Sequence, residues 1–314
     1  MIFKRNVLFL AFLAIALRVV MTSAADAATG YAWIGGVEYD SPYDLTTDNS
    51  GAGWSWSAAG NKLAIDGAYV HNINISCNSA DVINLEVNGA VTVSNGTYGS
   101  AIVSTGSLNI YGTGTLTLLP SEIGTEYSIP TIRAAQDLII SGGTVIVTAY
   151  DELNRAIVSE YGNVIIKGTA NVTFTVDGNK GRGIYAYGNV KIDDSAIVTI
   201  EGTGPNSEGI LTQNGDITID SNAVVRAKRT GEGYALHARS GSIIINSNNV
   251  TLFADDEEYL SSVPIKGTGN VDTVTPENNP ETTKKSGGGG GCSVVGLGVF
   301  ALCAIVLLKK SVKR

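Results

Sequence analysis

The chain has 314 residues, of which 21 are basic and 29 are acidic, and its formal net charge is −8 at pH 7. Seven of the basic residues and one acidic residue lie in the two ends, at 1–27 and 292–314, so the remainder carries 14 basic and 28 acidic residues and a charge of −14. A surface of this sign repels nucleic acid and anionic lipid and favours bound cations. The composition therefore argues against a nucleic-acid partner.

The N-terminus has the three parts of a secretory signal. Two basic residues precede an apolar stretch at 7–17, and small residues follow, with Ala25 and Ala27 spaced as in an A-x-A cleavage site. We predict a signal peptide over 1–27 that ends at Ala27, with cleavage after Ala25 as the alternative. Arg18 lies directly behind the apolar stretch, which keeps an uncleaved membrane helix as a second interpretation. Either interpretation exports the chain.

The composition between the ends is that of strands and turns. Glycine is abundant, at 38 residues, and Val, Ile, Thr, Asn and Ser are frequent, whereas no window has a convincing 3.6-residue apolar period. We therefore predict an all-β protein. Cys77 is the only cysteine outside the C-terminal tail, so this region cannot form an internal disulfide.

A short apolar motif recurs six times and sets the period of the fold. Each copy is followed by a Gly/Asn turn, a second apolar-x-apolar strand, another turn and a third such strand. The intervals between the apolar anchors are 30, 25, 27, 26 and 26 residues. The anchors are Ile102, Ile132, Ile157, Ile184, Ile210 and Leu236.

Units of this size cannot bury their apolar faces alone, but stacked units form one continuous core. The period therefore predicts a three-sided parallel β-helix with coils of ~26 residues, and weaker copies toward the N-terminus bring it to about seven coils. We place the β-helix at 71–272. The alternative is a β-sandwich of antiparallel hairpins, which does not require a regular three-strand period.

Aromatic residues concentrate at 31–69, ahead of the clear repeats. An open solenoid end exposes unpaired backbone and needs a cap, so we predict an N-terminal cap and first strands at 28–70. Trp54 and Trp56 share one face of a strand. They are expected to cover the first coil, and stacking on a sugar ring is the alternative.

The C-terminus has three parts in a specific order. Residues 273–291 form a predicted disordered stalk with a Gly-rich hinge, and residues 292–314 contain Cys292, an apolar run of about 15 residues and a basic end. This order resembles the C-terminal sorting tails of certain diderm bacteria, especially the Synergistetes type with its Gly-Gly-Cys motif. The resemblance implies a sorting protease that cuts at Gly291 and Cys292 and an envelope anchor. Retention of the run as a single membrane span is the alternative.

A second resemblance covers most of residues 31–254. The Tyr-x-x-x-Gly-Gly-Val opening at 31–37, the Leu-Ala-Ile-Asp-Gly-Ala segment at 63–68 and the Gly-Ile and Gly-Gly-Thr-Val units are similar to bacterial right-handed β-helix proteins of the carbohydrate-binding type. The resemblance implies a right-handed β-helix and a carbohydrate ligand. Members of that group are thought to bind acidic plant polysaccharide with calcium at the coil edges.

Outward positions of the first strand form a column across successive coils. Aromatic rings can stack on sugars, and Arg, Gln and His can bind hydroxyls or carboxylates, so this column is a candidate sugar-binding strip. Ordinary solvated strand surface is the alternative. The candidate residues are Arg133, Tyr185, Tyr187, Gln213, His237 and Arg239.

A second ladder is predicted in the turns that follow the second strands. Asp193, Asp220 and Asn246 occupy equivalent places there, and Asp194 adjoins the first of them. Oxygen ligands about 5 Å apart suit Ca²⁺, which makes Ca²⁺ a candidate cofactor. Solvated turn carboxylates are the alternative.

These patterns predict a non-catalytic carbohydrate-binding protein on the cell surface of a diderm bacterium, anchored through its C-terminus. The more specific prediction is Ca²⁺-assisted binding of acidic polysaccharide. A surface adhesin or structural protein is the first alternative, and a polysaccharide lyase or hydrolase is the second. An enzyme of the polygalacturonase type needs clustered carboxylates with a nearby His and Arg or Lys. Asp193-Asp194 is the one Asp-Asp pair of the predicted coils ahead of the acidic run at 255–258, and Arg182 is suggestive by position alone.

Overall fold

A computed structural model describes six stretches of the chain, and all of them belong to a compact unit formed by residues 1–278; residues 279–314 form a second unit. The predicted signal peptide with Ala27, and the predicted tail with Gly291 and Cys292, lie outside the described residues and stay predictions. The described stretches are 30–34, 42–94, 99–119, 129–149, 155–229 and 231–274.

The described residues form 29 β-strands and two short 3₁₀ turns, at Ala58–Gly60 and Glu257–Tyr259. The first strands are β1 (Gly30–Ile34), β2 (Tyr43–Asp44), β3 (Asn49–Gly51), β4 (Trp54–Ser57), β5 (Lys62–Asp66), β6 (Tyr69–Val70), β7 (Ile73–Cys77), β8 (Val82–Asn88) and β9 (Ala90–Ser94). The middle strands are β10 (Ile102–Ser104), β11 (Ser107–Gly112), β12 (Thr115–Leu119), β13 (Ile132–Ala134), β14 (Leu138–Ile140), β15 (Thr144–Ala149), β16 (Arg155–Ser159), β17 (Val164–Ile166) and β18 (Asn171–Val176). The last strands are β19 (Arg182–Ala186), β20 (Val190–Ile192), β21 (Ile197–Gly202), β22 (Glu208–Thr212), β23 (Ile217–Ile219), β24 (Val224–Lys228), β25 (Leu236–Ala238), β26 (Ile243–Ile245), β27 (Asn249–Phe253), β28 (Ile265–Lys266) and β29 (Val271–Val274).

From β7 onward the chain visits three sheets in turn and leaves one strand in each per coil. Sheet A has the order β2-β1-β7-β10-β13-β16-β19-β22-β25, sheet B the order β28-β26-β23-β20-β17-β14-β11-β8-β5-β4-β3, and sheet C the order β29-β27-β24-β21-β18-β15-β12-β9-β6. Coils repeat about 26 residues apart over about seven turns. Every strand pair described between residues 99 and 274 is parallel, which confirms the predicted β-helix and excludes the β-sandwich.

The core is a single apolar column enclosed by the three sheets. Side chains alternate along each strand, so that inward residues are buried and their neighbours are partly exposed, as period-two alternation requires. All six predicted anchors, Ile102 to Leu236, are fully buried. Successive coils place the same kind of residue at each level, and the core is therefore continuous from β5 to β27.

The N-terminal end of the solenoid is closed by antiparallel strands. β1 pairs with β7 and β2 at the end of sheet A, and β3 and β4 extend sheet B beyond β5. Trp54 and Trp56 are buried, the Trp56 Nε1–H donates to the Leu45 carbonyl over 3.0 Å, and the Tyr43 ring packs edge-on against Trp54. The two tryptophans thus serve the predicted cap and are not available to a sugar ring.

A ladder of side-chain acceptors joins consecutive coils at the turn between sheets A and B. Asp137 Oδ1 accepts both the backbone N–H and the side-chain amide of Asn163, at 2.8 and 3.0 Å. Asn163 Oδ1 accepts the same two groups of Asn189, and Asn189 Oδ1 accepts the backbone N–H of Asp216. Asp216 Oδ1 in turn accepts the backbone N–H of Ser242 over 2.7 Å. Each side chain therefore satisfies a donor that the parallel ladder leaves unpaired at the bend.

Replacing Asn163 with alanine is expected to lower the free energy of unfolding by about 1–2 kcal/mol. The substitution removes the amide that donates to Asp137 and the oxygen that accepts from the Asn189 backbone. Urea unfolding followed by circular dichroism measures this change. Asn214→Ala is the matched control, since Asn214 is an exposed asparagine of a neighbouring turn whose side chain is not part of the ladder. Equal losses of stability in the two variants would show that the ladder adds nothing specific.

Candidate functional site

The predicted column exists on the outer face of sheet A. The parallel pairing of β10, β13, β16, β19, β22 and β25 places Val103, Arg133, Val158, Tyr185, Leu211 and His237 in one line. Tyr187, Gln213 and Arg239 follow two residues later, where their strands have ended. The period of the sequence was therefore sufficient to bring Arg133, Tyr185 and His237 onto one face.

The column is less open than period-two alternation predicts. Val158 and Leu211 point away from the core but are buried, with exposed fractions of 1% and 0%. In the column, Val158 lies between Arg133 and Tyr185, and Leu211 lies between Tyr185 and His237. The Arg133 fork binds Glu160 through two hydrogen bonds of 2.8 and 2.9 Å, and Arg239 donates to Gln213 over 3.0 Å. These two guanidinium groups already have acceptors within the protein.

A second outward column runs beside the first, and it holds charged residues that sequence reasoning did not select. Arg155 pairs with Arg182, and Arg182 pairs with Glu208, at the starts of β16, β19 and β22. Simple alternation would turn these side chains toward the core. The alternation is interrupted in each strand because the residue after the charged one is small, and this small residue is buried together with the apolar anchor that follows it. The small residues are Ala156, Gly183 and Gly209.

Close polar contacts join the two columns. The Arg182 Nε–H donates to Glu208 Oε2 over 2.6 Å, and Glu208 Oε1 lies 2.5 Å from His237 Nδ1. The ring of Tyr234 packs edge-on against His237 with a centroid distance of 4.9 Å. We call the following set the sheet A cluster: Arg155, Arg182, Tyr185, Glu208, Tyr234 and His237.

Tyr185 lies close to both arginines of the sheet A cluster. The Arg155 guanidinium carbon lies 4.5 Å from the centre of the Tyr185 ring, and that of Arg182 lies 5.8 Å from it. A cation over a tyrosine ring is attracted by the ring electrons. Arg155 therefore lies over the ring of Tyr185, and stacking of this ring on a sugar stays a prediction.

Burial and charge shift the acid–base properties of the sheet A cluster. Burial lowers the pKa of the Arg155 guanidinium, and the nearby charge of Arg182 lowers it further. Burial alone would raise the pKa of Glu208, but the hydrogen bond from His237 and the charge of Arg182 outweigh burial and hold that pKa below its ordinary value. Glu208 is therefore an anion that neutralises Arg182, while Arg155 keeps a poorly solvated positive charge.

Two exposed tyrosines flank the sheet A cluster. Tyr187 is 43% exposed, and Tyr161, at the turn of the preceding coil, is 68% exposed. The backbone register places Glu160 beside Tyr187, so that Tyr161 and Tyr187 are diagonal neighbours. Sequence reasoning missed Tyr161 because it lies outside the apolar-x-apolar strands. The sequence feature that could have identified Tyr161 is a large aromatic residue in a turn otherwise made of small and polar residues.

The predicted calcium ladder has protein partners. Lys191 Nζ lies 2.7 Å from Asp193 and 3.9 Å from Asp220, and Ser221 donates to Asp193 over 2.6 Å. The hydrogen bond from Lys191 lowers the pKa of Asp193 to about 2. Asn246 donates its amide to Asp220 over 2.7 Å.

These contacts pair the predicted ligands with protein groups, and Ca²⁺ binding by them stays a prediction. Asn246 directs its side-chain N–H toward Asp220, and the Lys191 ammonium group lies between the Asp193 and Asp220 carboxylates. Asp194 accepts a hydrogen bond from the Gly168 backbone over 3.0 Å. Across the described residues, no group of three or more His, Cys, Asp or Glu side chains is arranged to hold a metal ion.

Comparison with known proteins finds no matching family model, no matching curated protein and no matching solved structure. No helix in the described part of the chain has the length and apolar character needed to cross a membrane. The sheet A cluster and the tyrosines beside it form the candidate functional site.

Proposed function

We propose that this protein is a non-catalytic carbohydrate-binding protein of the cell surface, and that it binds a polysaccharide chain along the outer face of sheet A. The observation that supports this proposal best is the pair of exposed tyrosines, Tyr161 and Tyr187, next to a half-buried cluster of arginine, glutamate and histidine. Exposed aromatic rings bind the apolar faces of sugars, and adjacent charged groups bind their polar substituents.

The β-helix suits a polymeric ligand. Side chains in one column of a parallel sheet are separated by about 4.8 Å, and each coil contributes one of them. The backbone that carries them is fixed by continuous ladders on both sides, so little conformational entropy is lost when a ligand binds. A face of this kind presents the same spacing over several coils, which matches an extended chain of repeating units.

Glycan-array binding of the purified protein tests the proposal. We expect binding to at least one class of polysaccharide, and we expect Tyr161→Ala and Tyr187→Ala each to weaken it about tenfold or less, because a stacked aromatic ring contributes about 0.5–1.5 kcal/mol. Dissociation constants for the best array hit are then measured by calorimetry.

Tyr69→Ala is the matched control. Tyr69 is 62% exposed, like the two test residues, but it lies in β6 of sheet C. Its substitution is expected to leave the affinity unchanged. An array without any bound glycan, or equal losses of affinity in all three variants, would contradict carbohydrate binding at sheet A. Binding to protein ligands alone would favour an adhesin instead.

A further inference from the structure

We infer that Arg155 binds the carboxylate of a uronic acid residue directly, so that the sheet A cluster selects acidic polysaccharide without a metal ion. This inference rests on the proposed carbohydrate-binding function and makes it more specific. It assigns the recognition of the anionic group to one guanidinium in the middle of the face, and it separates that recognition from the turn carboxylates around Asp193.

The first step is the balance of charge on sheet A. Three arginines of this face lie in strands: Arg133, Arg155 and Arg182. Glu160 neutralises Arg133 through two hydrogen bonds, and Glu208 neutralises Arg182 over 2.6 Å. No carboxylate within the described stretches lies at ion-pair distance from Arg155. The charges of Glu160 and Glu208 act on Arg155 from beyond that distance, but each of these carboxylates is hydrogen-bonded to another arginine, so that Arg155 can take an acceptor from a ligand.

The second step is the cost of leaving that charge unpaired. The side chain of Arg155 is partly buried, its Nε is inaccessible and has no hydrogen-bond partner, and the next cation in the column is Arg182. A guanidinium in this position loses hydration without gaining an acceptor. An anion bound to the outer N–H groups of this guanidinium would offset the repulsion from Arg182.

The third step identifies the anion. A guanidinium presents parallel N–H groups that match the two oxygens of a carboxylate, and stacking on the Tyr185 ring restricts its orientation. The whole chain carries a charge of −8, so this positive site does not belong to a generally basic surface. Tyr187 lies two residues further along the same strand direction and can support the ring of the sugar that carries the carboxylate.

Calorimetric titration with oligogalacturonate, its methyl ester and a neutral galacto-oligosaccharide tests the inference, with and without EDTA. We expect the native protein to prefer the acid to the ester about 10- to 100-fold, because a hydrogen bond to a charged group has that effect. EDTA is expected to change nothing. Arg155→Met keeps the apolar stem, and it is expected to bind acid and ester equally. Arg155→Lys keeps the charge without the fork and is expected to retain part of the preference.

Arg226→Met is the matched control, because Arg226 is an exposed arginine of β24 in sheet C. The Arg226→Met variant is expected to prefer the acid to the ester as strongly as the native protein does. The inference is overturned if Arg155→Met and Arg155→Lys both keep the full preference, if EDTA abolishes it, or if a sulfated glycan binds more tightly than the uronate. Binding of the neutral sugar and the ester without preference for the acid overturns this inference alone. Absence of binding to every sugar overturns the proposed function with it.

Discussion

Replacing Phe174 with alanine is expected to lower the free energy of unfolding by about 3–5 kcal/mol, the largest effect of any single substitution proposed for this protein. Phe174 is fully buried in β18, and Val147 and Ile200 occupy the same core level in the coils before and after it. The surrounding sheets are fixed by ladders on both sides and cannot collapse into the space that the ring leaves. A cavity in the middle of the solenoid therefore weakens two interfaces between coils at once.

Urea unfolding gives the total loss of stability, and hydrogen exchange shows where it occurs. We expect amide protection to fall most in β18 and in β15 and β21, which pair with β18 on either side. Phe174→Leu keeps most of the volume and is expected to cost about 1 kcal/mol. Thr173→Ala, on the outward side of the same strand, is the matched control and is expected to change stability by about 0.5 kcal/mol or less. A smaller loss of stability in Phe174→Ala than in Phe174→Leu would contradict the packing argument.

Replacing Glu208 with glutamine is expected to cost about 3 kcal/mol at neutral pH, since it removes the partner of a charge that is mostly buried. The side chains of Arg182 and Glu208 are only 16% and 11% exposed, and Arg155 is the next residue in the column. Glutamine keeps the shape but removes the carboxylate charge that pairs with Arg182 and His237, so that Arg182 lies beside Arg155 without its ion-pair partner. Thermal and urea unfolding at pH 7 measure the loss.

The pH dependence of the same comparison distinguishes lost charge from lost packing. The pKa of Glu208 is lower in the folded protein than its ordinary value of 4.5, so its stabilising contribution is fully present above pH 4.5 and is lost as the pH falls through the folded-state pKa. The native protein and Glu208→Gln should therefore become equally stable at low pH. Glu201→Gln, an exposed carboxylate of β21, is the control and is expected to change little. A difference between native protein and Glu208→Gln that persists unchanged at low pH would indicate a packing defect.

Much of the fold follows from the spacing of a few residue types. The anchors from Ile102 to Leu236 recur at a nearly constant interval, and a chain that buries one of them per coil has to stack its coils in parallel register. The antiparallel cap is harder to derive, because the choice of β7 as the partner of β1 depends on contacts distant in the sequence. The aromatic content near Trp54 and Trp56 predicted the position of the cap but not its strand order.

The candidate site was predictable only in part, and for a local reason. Period-two alternation placed Arg133, Tyr185 and His237 on one face, but it assigned Arg155 and Glu208 to the wrong side of their strands. The backbone departs from alternation where a small residue stands between the charged residue and the apolar anchor. The pattern charged–small–apolar, as in Arg-Ala-Ile at 155–157 and Glu-Gly-Ile at 208–210, is the signal that marks these positions.

The ladder of side-chain acceptors between sheets A and B has a direction along the chain. Asp137 accepts from Asn163, Asn163 accepts from Asn189, and Asn189 accepts from Asp216, so each side-chain acceptor belongs to the earlier coil and each donor to the later one. During synthesis a new coil therefore meets side-chain acceptors that are already in place, whereas backbone N–H groups such as those of Leu138 and Val164 are paired only when the carbonyls of the following coil arrive. The ladder therefore favours growth of the β-helix in chain order, with each coil offering side-chain acceptors to the next.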